Sequence, residues 1–249
     1  MSDLKNRITT AVEQAAEQGD AHGLFRKPLV GFASAADPLF DKIPEIVGAH
    51  HLKPADILPG VATVVSFFIP FTKEVINGNK GGQMVSREWG QAYLEANSLI
   101  NDICVMLIDL VTEAGHQAAM VPATYGFDEK TLATGWSHRS AAFVAGLGRF
   151  GLNRMLIGPL GCGGRYGTVF ISAELEPDER PVEEPCLYFK KEGGCQACLK
   201  ACPTQALALD GFDGQKCYQL VLENSRKLDL GQLCDVCGKC VVAGPCAYH

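Results

Sequence analysis

The sequence predicts an α/β domain over residues 1–180, a mixed sheet with flanking helices, followed by a small cysteine-rich α+β module over residues 181–249. Three observations lead there. Apolar residues at helical spacing alternate with short apolar runs bounded by Gly and Pro through most of the chain. Nine of the 11 cysteines fall in the last 64 residues. Between the two parts, Pro177, Pro181 and Pro185 stand among acidic residues, the composition of a linker. A chain of 249 residues with 47% hydrophobic content can bury one sizeable core and still carry an appended module.

Taken in order, Leu4, Ile8, Val12, Ala15 and Ala16 keep helical spacing and Gly19 ends the pattern, so the chain opens with an amphipathic helix. Leu29 to Ala33 reads as a short buried strand and Asp41 to Gly48 as a short helix, followed by turns at Pro54 and Pro59. Val61 to Ile69 is the clearest strand. Asn77-Gly78-Asn79-Lys80-Gly81-Gly82 reads as a mobile loop able to cover a ligand, and it has no Walker pattern. Ser86 to Gly115 is a long helix with Cys104 in its core face. Ala118 to Val121 is a strand, as are Arg154 to Gly158 and Thr168 to Leu175, and the last two are expected to form a hairpin.

The cysteines carry the chemistry. Cys195-Gln-Ala-Cys198-Leu-Lys-Ala-Cys202-Pro203 is the second half of the bacterial ferredoxin signature, in which closely spaced thiolates hold one cluster and the Cys before Pro reaches its neighbour. Cys217, Cys234, Cys237, Cys240 and Cys246 follow. With Cys186 these give nine thiols where two four-iron clusters need eight, so one is spare, and the module is expected to be ferredoxin-like. Paired C-x2-C knuckles also hold zinc, but zinc does not need the further x3-Cys-Pro reach. A disulfide framework fits less well, because the first residues lack the apolar core of a signal peptide; a reducing cytoplasm is the expected location.

Charge narrows the partners. The first 185 residues carry 15 basic and 22 acidic side chains, and the last 64 carry 7 and 6. Neither balance supports binding to nucleic acid by bulk electrostatics. The longest apolar run, Val61 to Phe71, is too short to cross a bilayer, and no basic amphipathic helix supports a membrane partner. The remaining unusual stretch runs from Ser137 to Arg165. Gly146, Gly148 and Gly151 match G-x-G-x-x-G, yet a helix precedes them and a strand follows, the reverse of the dinucleotide fingerprint. These glycines either let backbone approach a large flat ligand or make a tight helix-to-strand turn.

Ser137-His138-Arg139, Ala145-Gly-Leu-Gly148, Gly151-Leu-Asn153 and Gly161-Cys-Gly-Gly-Arg165, followed by the cysteine set, resemble the epoxyqueuosine reductase superfamily, especially its short members, and the related cobalamin-dependent reductive dehalogenases. The resemblance implies a cobalamin-binding α/β domain and two [4Fe-4S] clusters that feed electrons to cobalt. It implies one cluster on Cys186, Cys195, Cys198 and Cys246 and another on Cys202, Cys217, Cys237 and Cys240. Cys234 is then the spare, with exchange between Cys234 and Cys217 left open. It also implies a corrinoid site built from Ser137, His138, Gly146, Leu147, Gly148, Gly151, Asn153, Cys162 and Arg165.

Where epoxyqueuosine reductases carry an acidic proton donor, this chain has Lys130-Thr-Leu-Ala-Thr-Gly135, without a carboxylate. His138, Tyr125 and Asp128 are the candidate substitutes. His138 reads equally as a capping or core-edge residue and Cys162 as a small packing residue. Three functions stay open: a cobalamin-dependent reductase, a non-catalytic corrinoid-binding ferredoxin, and a cluster protein holding a flavin or other ligand in place of cobalamin. The expected partners are an electron donor such as a ferredoxin or flavodoxin, and a corrinoid-dependent enzyme in the carrier reading.

Overall fold

The computed structural model describes residues 2–123, 126–190 and 194–249. Its elements in chain order are α1 (Ser2–Gly19), β1 (Leu29–Ser34), α2 (Leu39–Val47), α3 (Pro54–Ile57), β2 (Thr63–Pro70), α4 (Lys73–Gly78), α5 (Arg87–Glu113), β3 (Ala118–Met120), α6 (His138–Val144), β4 (Arg149–Phe150), β5 (Leu156–Ile157), β6 (Gly164–Ile171), α7 (Ala197–Lys200), α8 (Gly214–Leu228) and α9 (Lys239–Val242). A four-stranded sheet runs β1-β2-β6-β3. All its pairings are antiparallel, which corrects the expected mixed sheet.

Strand β2 is buried along its whole length because both faces are covered. Its residues alternate, as a pleated strand requires. Val65, Phe67 and Ile69 join the core made with α1 and α5, where Ile8 and Val12 meet Ile100, Ile103 and Leu107. Val64 points the other way, into a core with Val144 and Ala145 at the end of α6 and Phe40 and Ile43 of α2. Helix starts follow local chemistry: Ser86 accepts a hydrogen bond from Trp89 N–H, Ser137 from Ser140 N–H and Asp213 from Lys216 N–H.

The expected hairpin between the two later strands does not form. Strand β5 pairs instead with β4, and β6 lies between β2 and β3. The intervening turn is taken up elsewhere: Cys162 N–H donates to Cys246 C=O at 2.9 Å and Gly163 N–H to Ala247 C=O at 3.1 Å. The loop expected to be mobile is also anchored. Its first part is helix α4, and the buried Asn79 donates to Cys237 C=O at 2.8 Å while accepting from Ser86 N–H.

Among the described residues, buried apolar side chains of the cysteine-rich segment pack into the body. Leu228, Val236, Val241 and Val242 pack with Phe71, Val75, Trp89 and Tyr93 in one cluster shared with the body. Among its described residues lie three α-helices, a 3-10 turn at Pro245–Ala247 and an isolated bridge between Leu207 and Phe212. Among the described residues no helix is long and apolar enough to cross a membrane.

Candidate redox centre

Helix α7, the turn after it, helix α9 and the C-terminal turn bring the late cysteines together. Cys186, Cys195, Cys198 and Cys246 line one small cavity with Leu152 and Asn153. Burial pushes the Cys198 thiol up to about 11, and neighbouring Cys246 and Cys186 push it further the same way.

A second group forms from Cys202, Cys217, Cys237 and Cys240. Cys240 is pushed up to about 12 by burial and then by Cys237, Cys217, Cys202 and Cys198. Cys217 rises to about 11 through burial and the proximity of Cys237 and Cys202. Cys202 goes the other way: burial raises it, but N–H groups of Leu207, Thr204 and Ala206 and the Thr204 hydroxyl outweigh that and favour the thiolate. Among the described residues no three His, Cys, Asp or Glu side chains form a group able to hold a single metal ion.

Cys234 stands apart from both sets. It is wholly buried, its N–H donates to Ser225 Oγ at 2.8 Å, and its thiol donates to Gly90 C=O at 3.5 Å. Burial raises its thiol to about 11, and the neighbouring Asp235 acts in the same direction.

The residues nominated for a corrinoid site are dispersed. Ser137 caps α6, and its N–H donates to His51 Nε2 at 2.8 Å. Leu147 sits in a core with Phe68, Leu156 and Tyr166. A Cβ at Gly146 would stand 2.6 Å from Glu179 O, and one at Gly148 2.4 Å from Ile157 O. At Gly151 it would stand 2.5 Å from the Ile157 side chain. The space that these glycines leave is therefore filled by the chain itself, as in the tight-turn reading.

Asn153 and Cys162 lie beside Cys246, not beside His138 or Arg165. Asn153 Nδ2 donates to Cys162 Sγ at 3.5 Å and to Cys246 Sγ at 3.9 Å. The Cys162 thiol is pushed well up by its hydrogen bond with Cys246 and by burial, and the same bond lowers Cys246 to about 7. The Cys162 thiol itself donates to the Val241 carbonyl at 3.7 Å. Arg165 sits on β6, where its Nε donates to Asn97 Oδ1 at 3.1 Å and its guanidinium lies 4.5 Å from the centre of the Tyr93 ring.

The proton-donor candidates separate by environment. His138 Nε2 donates to Pro122 C=O at 3.1 Å, and Nδ1 accepts from the Thr168 hydroxyl at 2.9 Å. Burial lowers this imidazole to about 4, the Pro122 carbonyl opposes the shift, and Arg165 adds to it. Asp128 is exposed and accepts from Thr131 N–H and Oγ1 and from Lys130 N–H, which hold its carboxyl below the usual range. Tyr125 lies outside the described residues. Cys104, as expected, is a core thiol, raised by burial to about 12.

The His138 pKa lies below its unfolded value, so the unfolded chain binds more protons between the two. Its contribution to stability is full above about pH 6.5 and is lost as pH falls toward about 4. Thermal melting of the apo chain is expected to weaken across that window by up to about 1.4 kcal/mol per pH unit from this group. His138→Gln should flatten the slope; an unchanged slope would assign it to other groups.

Two features escaped the sequence reading. Lys239, between two of the cysteines, is buried and donates to Asn79 C=O at 2.9 Å and Gly81 C=O at 2.7 Å. Tyr93 OH donates to Asp235 Oδ1 at 2.7 Å, tying α5 to the segment before Cys237. A lysine inside a cysteine motif was the one available signal, and nothing local disclosed its partners.

With this geometry in hand, comparison with known proteins gives it relatives. No protein-family model matches the chain. An epoxyqueuosine reductase of Staphylococcus aureus is 26% identical over 218 residues, covering 78% of this chain and 52% of the relative. The chain therefore spans about half the length of that curated relative. An epoxyqueuosine reductase solved with a modified tRNA stem loop has a TM-score of 0.60 at 20% identity, over 96% of this chain and 66% of the other. A reductive dehalogenase, solved in a study of B12-dependent dehalogenation, has a TM-score of 0.60 at 17% identity, over 89% of this chain and 30% of the other. The chain is thus related in sequence to epoxyqueuosine reductases and shares a fold with them and with reductive dehalogenases.

Proposed function

We propose that this protein is an iron–sulfur oxidoreductase whose two [4Fe-4S] clusters pass electrons to a bound corrinoid. The observation that carries the reading is the sorting of eight thiols into two sets of four. Cys186, Cys195, Cys198 and Cys246 share one cavity, and Cys202, Cys217, Cys237 and Cys240 lie within electrostatic reach of one another. These are the sets expected of two clusters that exchange a late ligand, in a ferredoxin-like arrangement. Thiols spread around a cavity suit a cluster of several irons, whose ligands stand farther apart than those of one ion. Cys234, bonded to Gly90 and Ser225, is the spare.

The clusters supply one-electron transfer, and the corrinoid supplies a cobalt centre able to reduce a substrate. The protein's own part is to hold and tune them. Asn153 Nδ2 donates toward Cys246, and a hydrogen bond to a ligating sulfur stabilises its charge and raises the reduction potential. The corrinoid is supported by the sequence relation to epoxyqueuosine reductases and by the fold shared with a B12-dependent dehalogenase.

A second reading, a corrinoid-binding electron carrier without its own reaction, is favoured by the state of the candidate acids. His138 is held neutral with both ring nitrogens engaged, and Asp128 is ionised by its turn. Neither is set to give a proton to a substrate.

Anaerobic purification tests the proposal. Iron and acid-labile sulfide are expected at about eight each per chain, with a shifted visible spectrum on mixing with cob(II)alamin. Zinc in place of iron would overturn the redox reading. Full iron without corrinoid affinity would keep the relay and remove the corrinoid as its acceptor.

A further inference from the structure

We propose that the open cavity beside Cys202 is the docking site of a small acidic one-electron carrier protein, and that electrons enter the chain there; this rests on the cluster reading above. The cavity has a volume of about 820 Å³. Its walls are the loop from Lys80 to Gln83, the segment around Leu199 to Ala208, and Lys239, Val242 and Ala243 of the α9 region.

The charge around this cavity has one sign among the described residues. Three lysines, Lys80, Lys200 and Lys239, line it, and among the described residues none of its lining is acidic. Outside the cavity Lys5, Lys27, Lys53, Lys216 and Lys227 each pair with a carboxylate, while Lys42, Lys73, Lys130 and Lys190 form no ion pair among the described residues but do not share one concave surface with Cys202. Lys80 and Lys200 are exposed and form no ion pair among the described residues. On a chain of net charge -6, this is a local positive rim against an acidic background. Such a rim selects a partner with an acidic contact face and speeds its encounter.

Position gives the rim its use. Cys202, a member of the second thiol set, is half-buried in the cavity wall. Electron transfer weakens steeply with distance, so a donor seated there meets a cluster ligand directly. The wall is also held in place. Lys239 spends its ammonium on the Asn79 and Gly81 carbonyls, and Asn79 is fixed to the Cys237 carbonyl, so the glycine loop is strapped to the cysteine segment. A held surface loses less freedom on binding than a loose one.

The test is stopped-flow reduction of the iron-loaded chain by reduced flavodoxin. The double variant Lys80→Glu/Lys200→Glu is expected to lower the second-order rate at least about tenfold at low ionic strength, with the difference closing as salt is raised. Its iron content and its reduction by photogenerated 5-deazariboflavin radical, which is uncharged, should match the parent. Lys42→Glu/Lys130→Glu makes the same change in net charge away from the cavity and should stay within about twofold of the parent.

Equal slowing in both double variants, or no slowing in the first, overturns the proposal. So does pyrophosphate binding that the first variant abolishes while flavodoxin rates stay unchanged, since the cavity would then hold a small anion. A parent chain without iron is a different failure, that of the cluster reading itself.

Discussion

Cys202→Ser is expected to lower bound iron from about eight to about four atoms per chain, whereas Cys234→Ser keeps the full complement. The two cysteines differ in surroundings, not in type. Cys202 lies within reach of Cys217, Cys237 and Cys240, and local N–H groups favour its thiolate. Cys234 donates to a carbonyl of α5 and has Asp235 beside it. The first set of four should survive loss of Cys202, because the apolar cluster around Cys186 and Val241 is built on Phe71, Trp89 and Tyr93 of the body. Iron analysis and electron paramagnetic resonance of the reduced protein check this. Loss of all iron from Cys202→Ser, or of half from Cys234→Ser, would overturn the ligand assignment.

Gly161→Ala should be among the most damaging single methyl additions in the chain. Gly161 has φ of 84°, a left-handed conformation, and a Cβ there would stand 2.6 Å from Ala247 O and 2.7 Å from Tyr248 N. Both obstacles are backbone, so no side chain can rotate away. Strained φ costs about 1–3 kcal/mol, and the displaced tail adds to it, giving at least about 3 kcal/mol in all. For a chain of this size that is a fall in melting temperature of about 6–12 °C. Cys246 sits on the same tail, so the cluster of the first thiol set should be lost with it. Thermal melting and iron content measure the two effects. A stable Gly161→Ala protein with full iron and weakened corrinoid binding would show instead that this turn serves the ligand.

The helices and strands that form the body were legible because their signals are local. Leu4, Ile8 and Val12 announce α1 one turn at a time, and Val61 to Ile69 is apolar enough to read as the central strand β2. The partners of those elements were less legible. Strand β5 was expected to pair with β6 but pairs with β4, because the glycine turn between them spends its N–H groups on Cys246 and Ala247, more than 80 residues away in the chain. The loop at Asn77 to Gly82 looked free from its composition, and Asn79 is held by the Cys237 carbonyl. Gly146 and Gly148 looked like a ligand cradle as readily as a turn, and their close approaches are to Glu179 and Ile157.

What the sequence determined by itself was the chemistry on offer: nine thiols in the last 64 residues, at the close spacings that iron–sulfur ligands use. Thiolate spacing is a property of neighbouring residues, so it survives without coordinates. The tertiary structure alone decided which thiols line a common cavity, that Cys234 faces Gly90, and that Asn153 donates to both Cys162 and Cys246. It also decided that Lys80 and Lys200 line the same cavity as Cys202. Each of these depends on chain segments far apart in sequence meeting through the shared core around Trp89, and no local pattern encodes such a meeting.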